Sequence, residues 1–223
     1  MRTLILSRHG NTFGPNDRIF WVGAKNDLPL VETGIAQAQK LADALLDSGI
    51  TPDAIYCGPL RRTKEYGDIV RQAVNPSIPL IVDERLNELD YGEWSGLNDQ
   101  EIAQKFGAKD LENWNDQGLW PPKGCWGGSD SETLREVEAF TAEVSQRHKD
   151  EATILAVTSN GRLRYFLRLF PKIFADYCQR KMLKVATGKI CLLAKQGVEL
   201  TPLCWNFDPD AGLALTTGLP IKN

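Results

Sequence analysis

Four short segments of the 223-residue sequence carry side chains able to do chemistry on one small group. Arg8-His9-Gly10-Asn11-Thr12 follows one apolar run, and Gly58-Pro59-Leu60-Arg61-Arg62 follows a second. Asn87-Glu88-Leu89-Asp90-Tyr91-Gly92-Glu93 is rich in carboxylates, and Ser159-Asn160-Gly161-Arg162 follows a fourth apolar run. The planar fork of arginine matches the oxygens of a phosphoryl group, and two forks can hold three such oxygens. A histidine flanked by arginines has its cationic form disfavoured, which leaves a free ring nitrogen as a nucleophile near neutral pH. A carboxyl group from Glu88, Asp90 or Glu93 can give a proton to a departing alkoxide and later take one from water. Together these residues describe phosphoryl transfer through a phosphohistidine.

The elements between the segments must bring them together. Thr3-Leu4-Ile5-Leu6, Ala54-Ile55-Tyr56-Cys57, Leu80-Ile81-Val82 and Ile154-Leu155-Ala156-Val157 read as short strands buried on both faces. Helical spacing appears from about Val31 to Leu46 (Ile35, Ala38, Leu41, Ala42, Leu45), from Leu60 to Val74, over 98–106, over 131–147, and from Ser159 through Phe170. Gly49 lies just past the first of these, and Ser129-x-x-Glu132 has capping-box spacing before the fourth. Residues 182–206 predict three short strands with turns at Gly188 and Gly197. Strands alternating with helices predict an α/β fold of three layers, α/β/α, with a mostly parallel central sheet. Ligands of such sheets bind outside the carboxyl ends of the strands, where all four segments fall.

In this order the segments resemble the histidine phosphatase superfamily, in its phosphoglycerate mutase-like branch. Arg8-His9-Gly10-Asn11-Thr12 is similar to the Arg-His-Gly-x-Thr signature after an amino-terminal strand, and Asn26-Asp27-Leu28-Pro29-Leu30 to Gly34 and Gln37-Ala38 resembles the segment after it. Gly58-Pro59-Leu60-Arg61-Arg62 looks like the Ser-Pro-Leu-x-Arg motif, and Leu86 to Gly96 resembles the Leu-x-Glu segment that bears the acid. The resemblance covers residues 2 to about 170. It implies that His9 is the phosphorylated nucleophile, that Arg8 and Arg62 bind phosphate, that Glu88 is the proton donor and that no metal or cofactor is needed. Gly10, Asn11, Thr12, Asn16, Ser159, Asn160 and Arg162 are then expected to line the substrate.

The fourth segment departs from the pattern. Where the family has a second histidine, as in Val-Ser-His-Gly-Gly, this chain reads Val157-Thr158-Ser159-Asn160-Gly161. Only two histidines are present, and His148 precedes the strand, so it cannot serve there. Serine supplies one hydrogen bond and no charge; loss of one preorganised donor typically costs about 10²–10³ in rate. Asn160 offers an amide, and Arg162 in the first helical turn could compensate. The expected function is a phosphatase of small phosphomonoesters with weakened activity, the alternatives being a pseudoenzyme that binds phosphorylated ligands and a phosphoglycerate mutase-type isomerase. Between Leu97 and Gly128 only Lys105, Lys109 and Lys123 are basic, which favours the phosphatase. A serine hydrolase does not fit, because Val157 takes the first glycine of G-x-S-x-G and no histidine follows Ser159.

Composition bounds the rest. With 26 Lys and Arg against 29 Asp and Glu the net charge is −3, and no basic block marks a nucleic-acid or anionic-membrane surface. No apolar run approaches the roughly 18 residues of a membrane span, and the amino terminus lacks the pattern of a signal peptide. Five widely spaced cysteines without a C-x-x-C pair suit a reducing, cytoplasmic setting. One domain over 1–223 is expected, with a small phosphorylated substrate or inorganic phosphate as its partner. Trp94, Trp114, Trp120 and Trp126, in the long stretch after Val82, are expected to pack a core or lid.

Overall fold

The computed structural model describes residues 1–196 and 199–217. β1 (Thr3–Arg8), β2 (Ala54–Cys57), β3 (Leu80–Val82) and β4 (Thr153–Thr158) run parallel in the spatial order β3-β2-β4-β1. β5 (Ile190–Gln196) pairs antiparallel with β1, and β6 (Glu199–Phe207) pairs antiparallel with β5. The mostly parallel sheet between helical layers is therefore the observed architecture. No helix among the described residues is long and apolar enough to cross a membrane.

Alternation along the strands divides the apolar residues between two cores. Leu4 and Leu6 of β1 and Ile154 and Ala156 of β4 face one, while Ile5, Leu155 and Val157 face the other. All seven are fully buried. Burial of a leucine or isoleucine contributes roughly 1.5–3 kcal/mol, so β1 and β4, which both deliver site residues, are firmly anchored. Helices α1 (Glu32–Asp47), α2 (Arg61–Val74) and α8 (Pro209–Thr217) cover one face. The other carries α3 (Asp99–Phe106), α4 (Ala108–Glu112), α5 (Asp130–Arg147), α6 (Asn160–Arg168) and α7 (Pro171–Gln179).

Three differences from the sequence reading have physical causes. Over 182–206 two strands form rather than three, because residues before Ile190 bind the site loops instead of a ladder: Val185 donates its N–H to Asn160 Oδ1 at 2.9 Å and Gly188 donates to the Arg8 carbonyl at 3.1 Å. Gly188 has φ +72° and makes the expected turn, whereas Gly197 lies outside the described residues. The helix expected to run through Phe170 ends at Arg168, and α7 starts afresh with Pro171 in its first turn. Ile35 is 48% exposed, the buried face of α1 beginning instead at Gly34, whose missing Cβ lets the helix lie against the backbone of Gly10 and Asn11.

The segment between β3 and α5 is packed rather than open. Trp94 and Trp114 are buried, and Trp126 meets both in edge-to-face contacts and also touches Trp21, Tyr91 and Trp120. Ser129 caps α5 by accepting from the Glu132 N–H at 3.2 Å, and its hydroxyl donates to Glu132 Oε2 at 2.8 Å.

Candidate active site

β1 and β4 lie in register with Arg8 opposite Thr158, so the next residues of each strand, His9 and Ser159, emerge beside one another. The His9 N–H donates to the Thr158 carbonyl at 3.0 Å, and the Gly58 N–H donates to the Val157 carbonyl at 3.1 Å. These bonds bring the start of α2, and with it Arg62, to the same edge. The Thr158 hydroxyl donates to the Leu86 carbonyl at 2.6 Å, which ties the Glu88 loop to the end of β4.

Neighbours fix the tautomer of His9. Its Nδ1 lies 2.7 Å from the Gly10 carbonyl, which can only accept, and its Nε2 lies 3.2 Å from Arg62 Nε, which can only donate. Nδ1 therefore carries the proton and Nε2 a lone pair. Burial, and then the charges of Arg62 and Arg8, hold the pKa of the ring well below the usual 6.5. The other arms of the Arg62 fork donate to the Asn26 carbonyl at 2.8 Å and the Gly23 carbonyl at 3.0 Å. Arg8 donates through Nη1 to the Val185 carbonyl at 2.6 Å, while its Nε is buried without a partner among the described residues. Burial lowers both guanidinium pKa values, and the Glu88 charge opposes that fall.

Glu88 is buried, and its carboxylate accepts from the Leu89 N–H at 2.9 Å and from the Gly161 N–H at 3.3 Å. The Tyr91 hydroxyl is also bonded to Glu88, and burial, then the Glu88 charge, raises its pKa well above 10. A Cβ on Gly161 would collide with Glu88 Oε1 and the Tyr91 oxygen. Tyr91 and Gly161 thus join the site, although sequence reasoning gave neither a role; the signal available was an aromatic three residues after Glu88. Arg164 was missed as well: it is 2% exposed, donates to the Trp114 carbonyl and lies 4.5 Å over the Trp114 ring.

The remaining expected residues divide. Ser159 is fully buried, its hydroxyl has no partner among the described residues, and it starts α6 without a side-chain capping bond. Gly10 and Asn11 lie against α1, where Asn11 bonds Gln37, Thr33 and Thr187; Thr12 is half-buried beside them. Asn160 is held by its bond from Val185. Arg162 donates through Nε to the Asn87 carbonyl at 2.8 Å and through Nη1 to Glu136 at 2.6 Å, so it ties the loop that carries Glu88 to α5. Asn16 is exposed in a turn, and His148 bonds the Tyr56 hydroxyl at 2.9 Å beyond the far end of β4.

A family model described as the histidine phosphatase superfamily (branch 1) matches residues 4–208. The chain belongs to the histidine phosphatase superfamily. It is 30% identical over 228 residues to a 2,3-bisphosphoglycerate-dependent phosphoglycerate mutase of Nocardia farcinica, covering 99% of this chain and 85% of that relative. A Methylobacterium protein of the same name is 30% identical over 167 residues, 73% of this chain and 77% of its own. Among solved structures, Bacillus stearothermophilus YhfR superposes with a TM-score of 0.76 at 25% identity, covering 92% of this chain and 96% of that one. A mycobacterial glucosyl-3-phosphoglycerate phosphatase gives a TM-score of 0.77 at 21% identity, over 93% and 100% of the two chains, a likeness of fold. Proteins named as mutases are thus similar to this chain in sequence, and one named as a phosphatase is similar to it in fold.

Proposed function

We propose that residues 1–223 form one domain that hydrolyses small phosphomonoesters through a phosphohistidine on His9. The observation that carries the proposal is the fixed His9 tautomer, with the Nε2 lone pair beside Arg62. A substrate phosphoryl group displaces the Arg62 Nε contact and takes that donor, together with the unpartnered Nε of Arg8, on its own oxygens. Nε2 attacks phosphorus, the ester P–O bond breaks, and the leaving oxygen takes a proton from Glu88. Water then gives its proton to Glu88 and attacks the phosphohistidine, releasing inorganic phosphate and restoring Nε2. The scarcity of basic residues between Leu97 and Gly128 favours hydrolysis over a mutase reaction, which must hold and rebind a phosphorylated intermediate.

A second reading, a binding protein with vestigial turnover, draws on the Ser159 hydroxyl, which brings no charge to the phosphoryl group. Hydrolysis of p-nitrophenyl phosphate by wild type beside His9→Ala separates the two. The proposal expects at least a 10²-fold gap and an acid-labile, base-stable phosphoprotein on rapid quench; equal rates would leave the binding reading.

A further inference from the structure

His9, Arg62 and Ser159 are almost sealed from solvent, yet a cleft of about 580 Å³ opens beside Glu88. That volume lies within the range of small-molecule sites. We infer that this cleft holds the alcohol half of the substrate and that it selects hydroxyl-rich alcohols, so that the enzyme acts on phosphorylated polyols or sugars. The inference rests on Glu88 being the proton donor. In an in-line displacement the leaving oxygen lies opposite His9 Nε2 and against the acid, so the alcohol extends past Glu88, where the cleft begins.

The chemistry of the walls names the class. Arg162 is 5% exposed and clamped by Asn87 and Glu136, with Nη2 left without a partner among the described residues. Arg135 faces the cleft from α5 with no ion pair among the described residues. Glu132 and Glu136, one turn apart on the same helix, set carboxylate oxygens among these forks, and Asp90 adds a third beside the acid Glu88 on the facing loop. Most of the wall charges are already paired within the protein, Arg85 with Asp83 and Glu143, Asp90 with Lys25 and Glu136 with Arg162, so neither a cationic nor an acidic alcohol meets a net field of opposite charge. Hydroxyl groups both donate and accept, so a neutral polyol satisfies forks and carboxylates together without a buried unpaired charge.

The test measures binding apart from turnover, by calorimetry in a His9→Ala background with sorbitol 6-phosphate, 3-phosphoglycerate and inorganic phosphate. The expected result is that sorbitol 6-phosphate binds at least tenfold more tightly than the other two. That advantage should shrink about tenfold on adding Arg135→Ala or Glu132→Ala, the scale of one lost hydrogen bond to a charged group. Both positions are exposed, and because Glu132 also accepts from the Ser129 hydroxyl at the start of α5, thermal melts of both double variants check that the fold is kept. An advantage unchanged in both double variants, or tighter binding of 3-phosphoglycerate, overturns the inference. Failure of the hydrolytic reading shows separately, as absent turnover in the wild type, and leaves these affinities unaltered.

Discussion

The Gly161 N–H donates to Glu88 Oε2 at 3.3 Å, which joins the first turn of α6 to the carboxylate assigned as the acid. The contact is possible because Gly161 has no Cβ: one there would overlap both Glu88 Oε1 and the Tyr91 oxygen. In most helical settings glycine to alanine stabilises, by up to about 1 kcal/mol. Here Gly161→Ala should instead lower stability by about 1–3 kcal/mol in urea melts, as overpacking does, and lower kcat on an aryl phosphate by more than tenfold. A variant as stable and active as wild type would show that the acid sits elsewhere.

The four segments with chemical side chains were legible because strands buried on both faces are easy to see and because ligands gather at their carboxyl ends. Leu4 to Leu6 and Ile154 to Val157 are of this kind. Partners of those side chains were not legible. That Arg162 secures Asn87 and Glu136 depends on how α5 packs beside α6, with the Arg162 and Glu136 side chains meeting at 2.6 Å, and no local pattern encodes that packing. Tyr91 reads in sequence as one more loop aromatic, and only the packing of Trp114 and Trp126 around it turns its hydroxyl toward Glu88. The strand expected before Ile190 failed for a related reason: its donors are required by Asn160 and Arg8.

Arg62 offers a test of geometry against charge. Its three donors reach His9, Asn26 and Gly23 in one plane, which lysine cannot reproduce. Arg62→Lys keeps the positive charge but loses the fork that serves His9, the half-buried Asn26 carbonyl and the buried Gly23 carbonyl together. It should lose at least 10²-fold in kcat/KM, close to the loss in Arg62→Ala, and both should weaken vanadate inhibition. Near-complete activity in Arg62→Lys would mean that charge alone suffices.

The His9 environment sets a pH dependence. The folded pKa lies well below 6.5, so below pH 6.5 the unfolded chain binds a proton at this site while the folded chain does not. Stability from this group is fully present above about 6.5 and is lost as pH falls from there toward the folded value. Replacing His9 with asparagine should therefore flatten the fall of the melting temperature between pH 6.5 and 5. In the wild type, the His9 ring resonances should stay those of the neutral Nδ1–H form at pH 6. A ring that titrates near 6.5 would contradict the Arg62 contact.

Ser159 has a fully buried hydroxyl with no partner among the described residues. An unsatisfied buried hydroxyl is a cost to the fold, so removing it should leave stability unchanged or raise it by up to about 1 kcal/mol. If the same hydroxyl donates to a bound phosphoryl group, its removal takes away one preorganised bond. Ser159→Ala should then melt at or above the wild-type temperature while binding vanadate about tenfold more weakly. The two effects have opposite signs, which distinguishes a residue kept for the ligand from one kept for packing. Loss of stability without loss of vanadate affinity would return Ser159 to the role of a spacer between β4 and α6.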